Sequence, residues 1–238
     1  MMPARKNSKP SVIRIGEHKL NVSVFHKAIL FWGKRNFRSY PWRLTEDPYQ
    51  ILIAEVMLHR TQAKQVVPVY EGFIIRFPNV YSLSKASKKD LYKIISPLGL
   101  QWRLDLIREM ANQLDVRFNG KIPESKNDLL SLPGVSEYIA GAVRCFSWNI
   151  PEPLVDTNTV RVIGRLFGLE IKDSSRRNSL YRKTIESLVH LTRPRAYNYA
   201  LLDLAHLICL KRALPLCGDC PIQTLCSYGA SLTNSKTF

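Results

Sequence analysis

Apolar positions recur at helical spacing along almost the whole chain from Val22 onward. Phe25, Ile29 and Trp32 fall on one face of a first helix. Asp47 followed by Pro48 reads as an N-cap with proline at the first helical position, which predicts a helix over 47–62. The same spacing predicts helices near 64–76, 88–96, 102–117, 126–131, 136–148, 157–168, 175–191 and 195–210. Strand signals are nearly absent, and Ser11-Val12-Ile13-Arg14-Ile15 predicts only a short extended piece in a flexible arm. Two turns with apolar flanks punctuate the pattern, Pro97-Leu98-Gly99-Leu100 and Leu132-Pro133-Gly134-Val135-Ser136. There is no fixed-period repeat and no low-complexity linker. The expected fold class is all-α.

The length of 238 residues suits one large domain or two small ones, enough for a real core. A hydrophobic content of 45% excludes wholesale disorder. No apolar run approaches the ~20 residues that span a bilayer. The basic N-terminus is not followed by the apolar segment of a secretory signal. A soluble, cytoplasmic protein is expected. Charge changes this picture most: 35 Lys and Arg against 19 Asp and Glu give a net +16. Residues 1–20 carry a surplus of four positive charges, so twelve lie in the body of the chain. Such a balance favours polyanionic partners, above all nucleic acid. Composition alone leaves DNA, RNA, an anionic membrane surface and mere solubility open.

Four of the five cysteines, Cys209, Cys217, Cys220 and Cys226, stand together as C-x7-C-x2-C-x5-C. Cys145, within Ala142-Val143-Arg144-Cys145-Phe146, reads as a buried, inert thiol. Two disulfides do not suit a cytosolic setting. Four thiolates at short spacing suit a tetrahedral zinc or a [4Fe–4S] cluster. The spacing favours the cluster, because zinc sites usually come as two close pairs and here only one pair is so close. Either reading makes the cysteines a staple for a C-terminal loop.

Leu132-Pro133-Gly134-Val135 between two predicted helices is a helix–hairpin–helix signature, whose exposed amides at the start of the next helix can hold a phosphate oxygen. A plain αα-hairpin is the alternative, and Ser136 stands where a second glycine would be usual. Downstream, Asp156 ends an apolar stretch and precedes a helix with Val160, Ile163 and Phe167 on one face. It reads either as a simple N-cap or as a carboxylate at the mouth of a pocket. Glu55 lies at helical spacing from Ile51, Leu52, Leu58 and His59, on a mostly apolar face. Burial there would raise its pKa and let it hold a proton near neutrality; a structural Glu paired with a basic residue is the alternative. Two carboxylates in contrasting surroundings are the set that cleaves a glycosidic bond.

Together these segments make the chain from about Phe25 to Cys226 resemble the helix–hairpin–helix DNA glycosylases with a C-terminal iron–sulfur cluster, the endonuclease III and MutY superfamily. The resemblance rests on Tyr40-Pro41-Trp42-Arg43, Asp47-Pro48-Tyr49, Ile53-Ala54-Glu55-Val56-Met57-Leu58, Leu132-Pro133-Gly134-Val135, Val155-Asp156-Thr157-Asn158 and the four cysteines, in order. It implies two helical lobes and a cleft that receives a flipped nucleotide of double-stranded DNA carrying a mismatched or damaged base. It also implies a [4Fe–4S] cofactor and a monomer working at the nucleoid. The boundaries it suggests are a basic arm over 1–21, a glycosylase core over 22–226, and a tail over 227–238. Within the core, one lobe takes about 40–155, the other 22–39 with 156–208, and the cluster loop 209–226.

Residue by residue, the resemblance matches Asp156 to the catalytic aspartate of the superfamily. Glu55 matches the acid of MutY-like and thymine mismatch enzymes. Tyr138 occupies the hairpin position of the Schiff-base lysine of endonuclease III, and a phenol cannot form that imine. MutY enzymes commonly carry Ser there, whereas G:T mismatch thymine glycosylases carry Tyr. The expected activity is therefore monofunctional excision of thymine or uracil opposite guanine. The alternatives are adenine excision without the further C-terminal domain usual in MutY, and a non-catalytic DNA-binding iron–sulfur protein. The resemblance places His59, Arg60 and Gln62 in the segment entering the gap left by the extruded base, with Tyr199 wedging from the other lobe. It gives Arg43 a pocket group or a phosphate, Gly134 and Ser136 the phosphate-binding turn, and Asn158 the ordering of Asp156 or its water. Lys211 and Arg212 are expected near DNA, in a cysteine gap one residue longer than the family's usual six.

Overall fold

The computed structural model describes residues 10–99 and 102–234. In chain order these form strands β1 (Val12–Ile15) and β2 (His18–Asn21), then helices α1 (Val22–Arg35), α2 (Pro48–Leu58), α3 (Ala63–Arg76), α4 (Val80–Ser84), α5 (Lys88–Ile95), α6 (Trp102–Phe118), α7 (Lys126–Leu130), α8 (Glu137–Trp148), α9 (Thr157–Phe167), α10 (Ser179–Leu188), α11 (Pro194–Leu207) and α12 (Ser227–Asn234). The all-α expectation holds apart from one small β-hairpin. The chain divides into two compact units. One is continuous, Ser39–Glu152; the other joins the residues up to Arg38 to those from Pro153 onward.

In the continuous unit, α2 is buried on nearly every side, with Tyr49 and Ile51 through Met57 all buried. It packs against α3 and α8. Asp47 starts it as expected, its carboxylate accepting from the amide of Tyr49 at 2.8 Å. The helix stops at Leu58, short of the expected 62. Arg103, wholly buried, donates Nη1 to the Met57 carbonyl at 2.9 Å and Nη2 to Thr61 Oγ1 at 3.0 Å. The carbonyl that Thr61 would bond in a longer helix is thus taken. The Thr61 amide turns to the Leu58 carbonyl at 3.1 Å, leaving Arg60 in the left-handed region at φ 63°. α4 was not expected from the pattern. It is five residues long and is held by an Asn79–Ser82 capping box.

In the discontinuous unit, α1 packs along α11, and α9 against α10, α11 and α12. Phe25, Ile29, Ile163, Leu166, Ile185, Leu201 and Leu204 fill its core. Gly33 is needed here: an added Cβ would lie 2.3 Å from Cβ of Ala200. The arm expected to be flexible is instead a folded hairpin over Val12–Asn21, pairing Ile13 with Leu20 around Gly16 at φ 56°. Both apolar partners enter the core, which supplies the burial that a short isolated hairpin lacks. Arm residues 1–9 lie outside the described residues. Within the expected tail over 227–238, Ser227–Asn234 forms helix α12; residues 235–238 again lie outside the described residues. The helix expected over 175–191 begins later, because Asn178 caps a new start by accepting from the Leu180 amide at 2.8 Å. α11 ends at Leu207, where the amides of Ile208 and Cys209 both bond the Leu204 carbonyl.

Candidate active site

The hairpin joins α7 to α8. Gly134 turns the chain at φ 76°, and the Val135 amide bonds the Leu132 carbonyl at 3.2 Å. Ser136, the departure from glycine, is the N-cap of α8: its Oγ accepts from the Ile139 amide at 3.3 Å. The substitution thus completes the helix start. A charged brace fixes the unit, with Lys126 of α7 at 3.2 Å from Glu137 and 3.1 Å from Glu152, and Arg144 at 2.8 Å from Glu152. Tyr138 sits half-buried in the first turn of α8, on the helix that packs against α2. Glu55 is the one carboxylate of α2 and is 7% exposed among apolar side chains. The helices bearing these two residues are therefore neighbours.

Arg43 ends a short 3-10 turn, half-buried, its guanidinium 5.6 Å from the ring centre of Tyr40. Tyr40 in turn stacks on buried Trp42 at 5.0 Å. His59, Arg60 and Gln62 are exposed on the segment after α2. Burial first, then the charges of Arg103 and Arg60, hold the His59 imidazole below its ordinary value. Its ring meets Trp102 edge-on at 6.0 Å. Trp102 was missed from the sequence. It is 44% exposed at the first position of α6, where an apolar face alone would not place a tryptophan.

In the other unit, Asp156 is the N-cap of α9. Oδ1 accepts from the amides of Asn158 at 2.9 Å and Thr159 at 2.7 Å, and Oδ2 from the Asn158 side-chain amide at 2.7 Å. Three N–H donors thus fix a half-buried carboxylate and leave one Oδ2 lone pair uncommitted among these bonds. The capping role and a chemical role are compatible in this geometry. Asn158 is oriented by Arg161, whose Nη2 donates to Asn158 Oδ1 at 3.2 Å and to the Ala205 carbonyl at 2.7 Å. Arg161 Nε donates to the Cys209 carbonyl at 2.7 Å. Arg161 also went unread in the sequence, since the Ala205 and Cys209 carbonyls that anchor it lie over forty residues away. Tyr199 is 5% exposed and packs edge-on against Phe37 at 5.9 Å.

Cys209, Cys217, Cys220 and Cys226 share one half-buried loop. Burial, and then the charges of neighbouring cysteines, raise the thiols of Cys217, Cys220 and Cys226, with Cys220 pushed up to about 12. N–H donors face the sulfurs: Arg165 Nη1 lies 3.2 Å from Cys209 Sγ, and backbone amides of Ile222, Tyr228 and Gly229 face Cys220 and Cys226. Among the described residues no three His, Cys, Asp or Glu side chains are arranged to hold a single metal ion. Donor type, loop and N–H···S bonds suit a four-thiolate iron–sulfur group. Lys211 and Arg212 are exposed in the long gap, which the Leu216 amide closes onto the Ile208 carbonyl at 2.9 Å. Cys145 is fully buried in α8, as expected.

Along the chain, then, a helical hairpin is followed by a capped aspartate and a cysteine loop. The model of the HhH-GPD superfamily of base excision DNA repair proteins matches residues 53–188, and the chain belongs to that superfamily. It is 38% identical over 197 residues to the thymine-DNA glycosylase of Aeropyrum pernix, covering 80% of this chain and 87% of that one. It is 34% identical to the thymine/uracil-DNA glycosylase of Methanothermobacter thermautotrophicus, over 86% and 93%. The adenine DNA glycosylase of Buchnera aphidicola is 36% identical over 90% of this chain, which spans 60% of that relative. The solved structure of a thermostable thymine-DNA glycosylase superposes with a TM-score of 0.83 at 33% identity, covering 88% of this chain and 97% of that one. An endonuclease III–DNA complex, 20% identical, shares the fold with a TM-score of 0.74 over 90% of this chain and 99% of that one.

Proposed function

We propose that this protein is a monofunctional DNA glycosylase that flips thymine or uracil mispaired with guanine out of duplex DNA and hydrolyses its N-glycosidic bond. The observation that carries the reading is Asp156, a carboxylate fixed by three N–H donors with an acceptor position to spare. In the reaction, the C1′–N bond breaks with its electron pair leaving on the base. Asp156 stabilises the positive charge that develops on the sugar. A water oxygen bonds to C1′ and gives its proton to the uncommitted Oδ2 position of Asp156, while Glu55 supplies a proton to the departing base. Tyr138 lines the base side, and having no amine it forms no imine, so strand cleavage by β-elimination is not expected. Arg43 holds a pocket group or a phosphate, and the turn at Gly134 and Ser136 engages the backbone. His59, Arg60 and Gln62 fill the gap left in the stack.

The four cysteines hold a [4Fe–4S] cluster in this reading. When bound, it supplies a rigid, electrostatically stabilised anchor for the loop that carries Lys211 and Arg212. Choice of base is supported by Glu55 and Tyr138 on neighbouring helices, and by relatives named for thymine and uracil. A duplex panel carrying G:T, G:U, A:8-oxoguanine and A:G tests it. Release of thymine or uracil opposite guanine is the expected result. Cleavage confined to adenine strands would establish instead the second reading, which the 36% identity to an adenine glycosylase favours. Tight binding with no base released would leave a DNA-binding protein only.

A further inference from the structure

Helix α12 begins on the residue after Cys226 and wraps back over the cysteine loop. The amides of Tyr228 and Gly229 donate toward Cys226 Sγ, and the Ala230 amide bonds the Cys226 carbonyl at 2.9 Å. Gly229 is seated so closely that an added Cβ would meet the Gln223 carbonyl oxygen at 2.9 Å and Cys226 Cβ at 3.5 Å. On the other side stands Arg165 of α9. Its Nη1 donates to Cys209 Sγ at 3.2 Å and to the Leu210 carbonyl at 2.9 Å. Its own carbonyl oxygen lies 3.3 Å from Cys226 Sγ, and its guanidinium lies 5.1 Å from the ring centre of Tyr228. One arginine side chain therefore touches the first cysteine and the helix that follows the last. Ser227 then fastens α12 to the N-terminal hairpin, its Oγ 2.9 Å from Nδ1 of His18. The His18 ring is itself fixed edge-on against Phe167 at 5.2 Å.

We propose that Arg165 and α12, latched to the hairpin through Ser227 and His18, form a clasp that retains the iron–sulfur group by holding Cys209 and Cys226 in place. The inference rests on the cofactor reading above. A cationic N–H aimed at sulfur is worth most when the sulfur is a metal-bound thiolate, and such outer contacts govern how firmly first ligands stay bound. Loss of the group requires an outer ligand to swing away. Cys226 is opposed in this by two amides and a packed glycine, and Cys209 by a guanidinium. Arg165 and α12 are thus positioning elements, acting through the cysteines.

The test uses the full chain and reads visible absorbance near 400 nm and iron per protein, not excision. Each variant is challenged with an iron chelator and the bleaching rate measured, with far-UV circular dichroism as a check on folding. R165M, which removes the donor, and S227A, which removes the latch, are expected to bleach several-fold faster than wild type. R165K keeps a cationic donor and is expected to bleach more slowly than R165M, a rescue that simple loss of packing would not give. G229V is expected to purify with less iron per protein. Wild-type rates in both R165M and S227A, in coloured protein, would overturn the clasp alone. A colourless wild-type protein would overturn the cofactor reading beneath it.

Discussion

Asp156 can serve as cap and as reacting group because a carboxylate has more acceptor positions than a cap consumes. D156N replaces one acceptor oxygen with an NH2 and removes the negative charge. Single-turnover excision from a G:U duplex should fall about 10²–10³-fold or more, with affinity for an uncleaved duplex nearly unchanged. Arg161 acts on the same group one step removed, through the amide of Asn158. R161M should lower single-turnover excision by about 10- to 100-fold, the scale of a small misplacement of a reacting group. In an N158A background the same change should add little, and full additivity would show that Arg161 works elsewhere. His59 makes a pH prediction. Its folded-state pKa lies below that of the unfolded chain, so the unfolded chain binds more protons in the window beneath the ordinary 6.5. This contribution to stability is present above 6.5 and is lost as pH falls toward the folded value. An NMR titration should accordingly place the His59 midpoint below 6.5.

Most helices could be recognised from periodicity and caps, and their ends from less. Asp47, Ser136 and Asp156 start helices in the structure because a side-chain oxygen adjacent to an apolar run is a local signal. The end of α2 was not legible, because what stops it is Arg103, brought from α6 by tertiary packing. The hairpin over Val12–Asn21 was half legible: Ser11–Ile15 reads as extended, while the burial of Leu20 depends on a core built by distant helices. Arg161, Arg165 and Trp102 share that explanation, since a basic or aromatic residue on a helix does not announce a partner far along the chain. Where α1 meets α11, the contact is decided by one hydrogen atom. G33A forces a methyl into a space already held by Ala200, and should destabilise the protein by about 1–3 kcal/mol or more, seen as a lower midpoint in urea.

For the molecule as a whole, the net charge of +16 concerns approach to DNA and how that approach responds to ions. The logarithm of affinity should fall linearly with the logarithm of salt concentration, with a slope of about −0.9 per phosphate neutralised. K211A and R212A should each reduce that slope by about one and weaken binding alike on matched and mismatched duplexes, as fluorescence anisotropy across a salt series would show. Charge was readable from composition, and its use was not, because composition carries no positions.

The discontinuity of one unit also governs the order of assembly. Ser39–Glu152 is an unbroken segment, so it can begin to fold as soon as it leaves the ribosome. The other unit has α1 waiting for α11, and His26 bonding the Leu188 carbonyl across 162 positions. Its hairpin, with α1, emerges early and stays without its core until the chain has been synthesised past α11. The latch between His18 and Ser227 closes later still. The cysteine loop and its clasp are therefore completed together and last, when Ser227 follows Cys226 and meets segments bearing His18 and Arg165 that are already made.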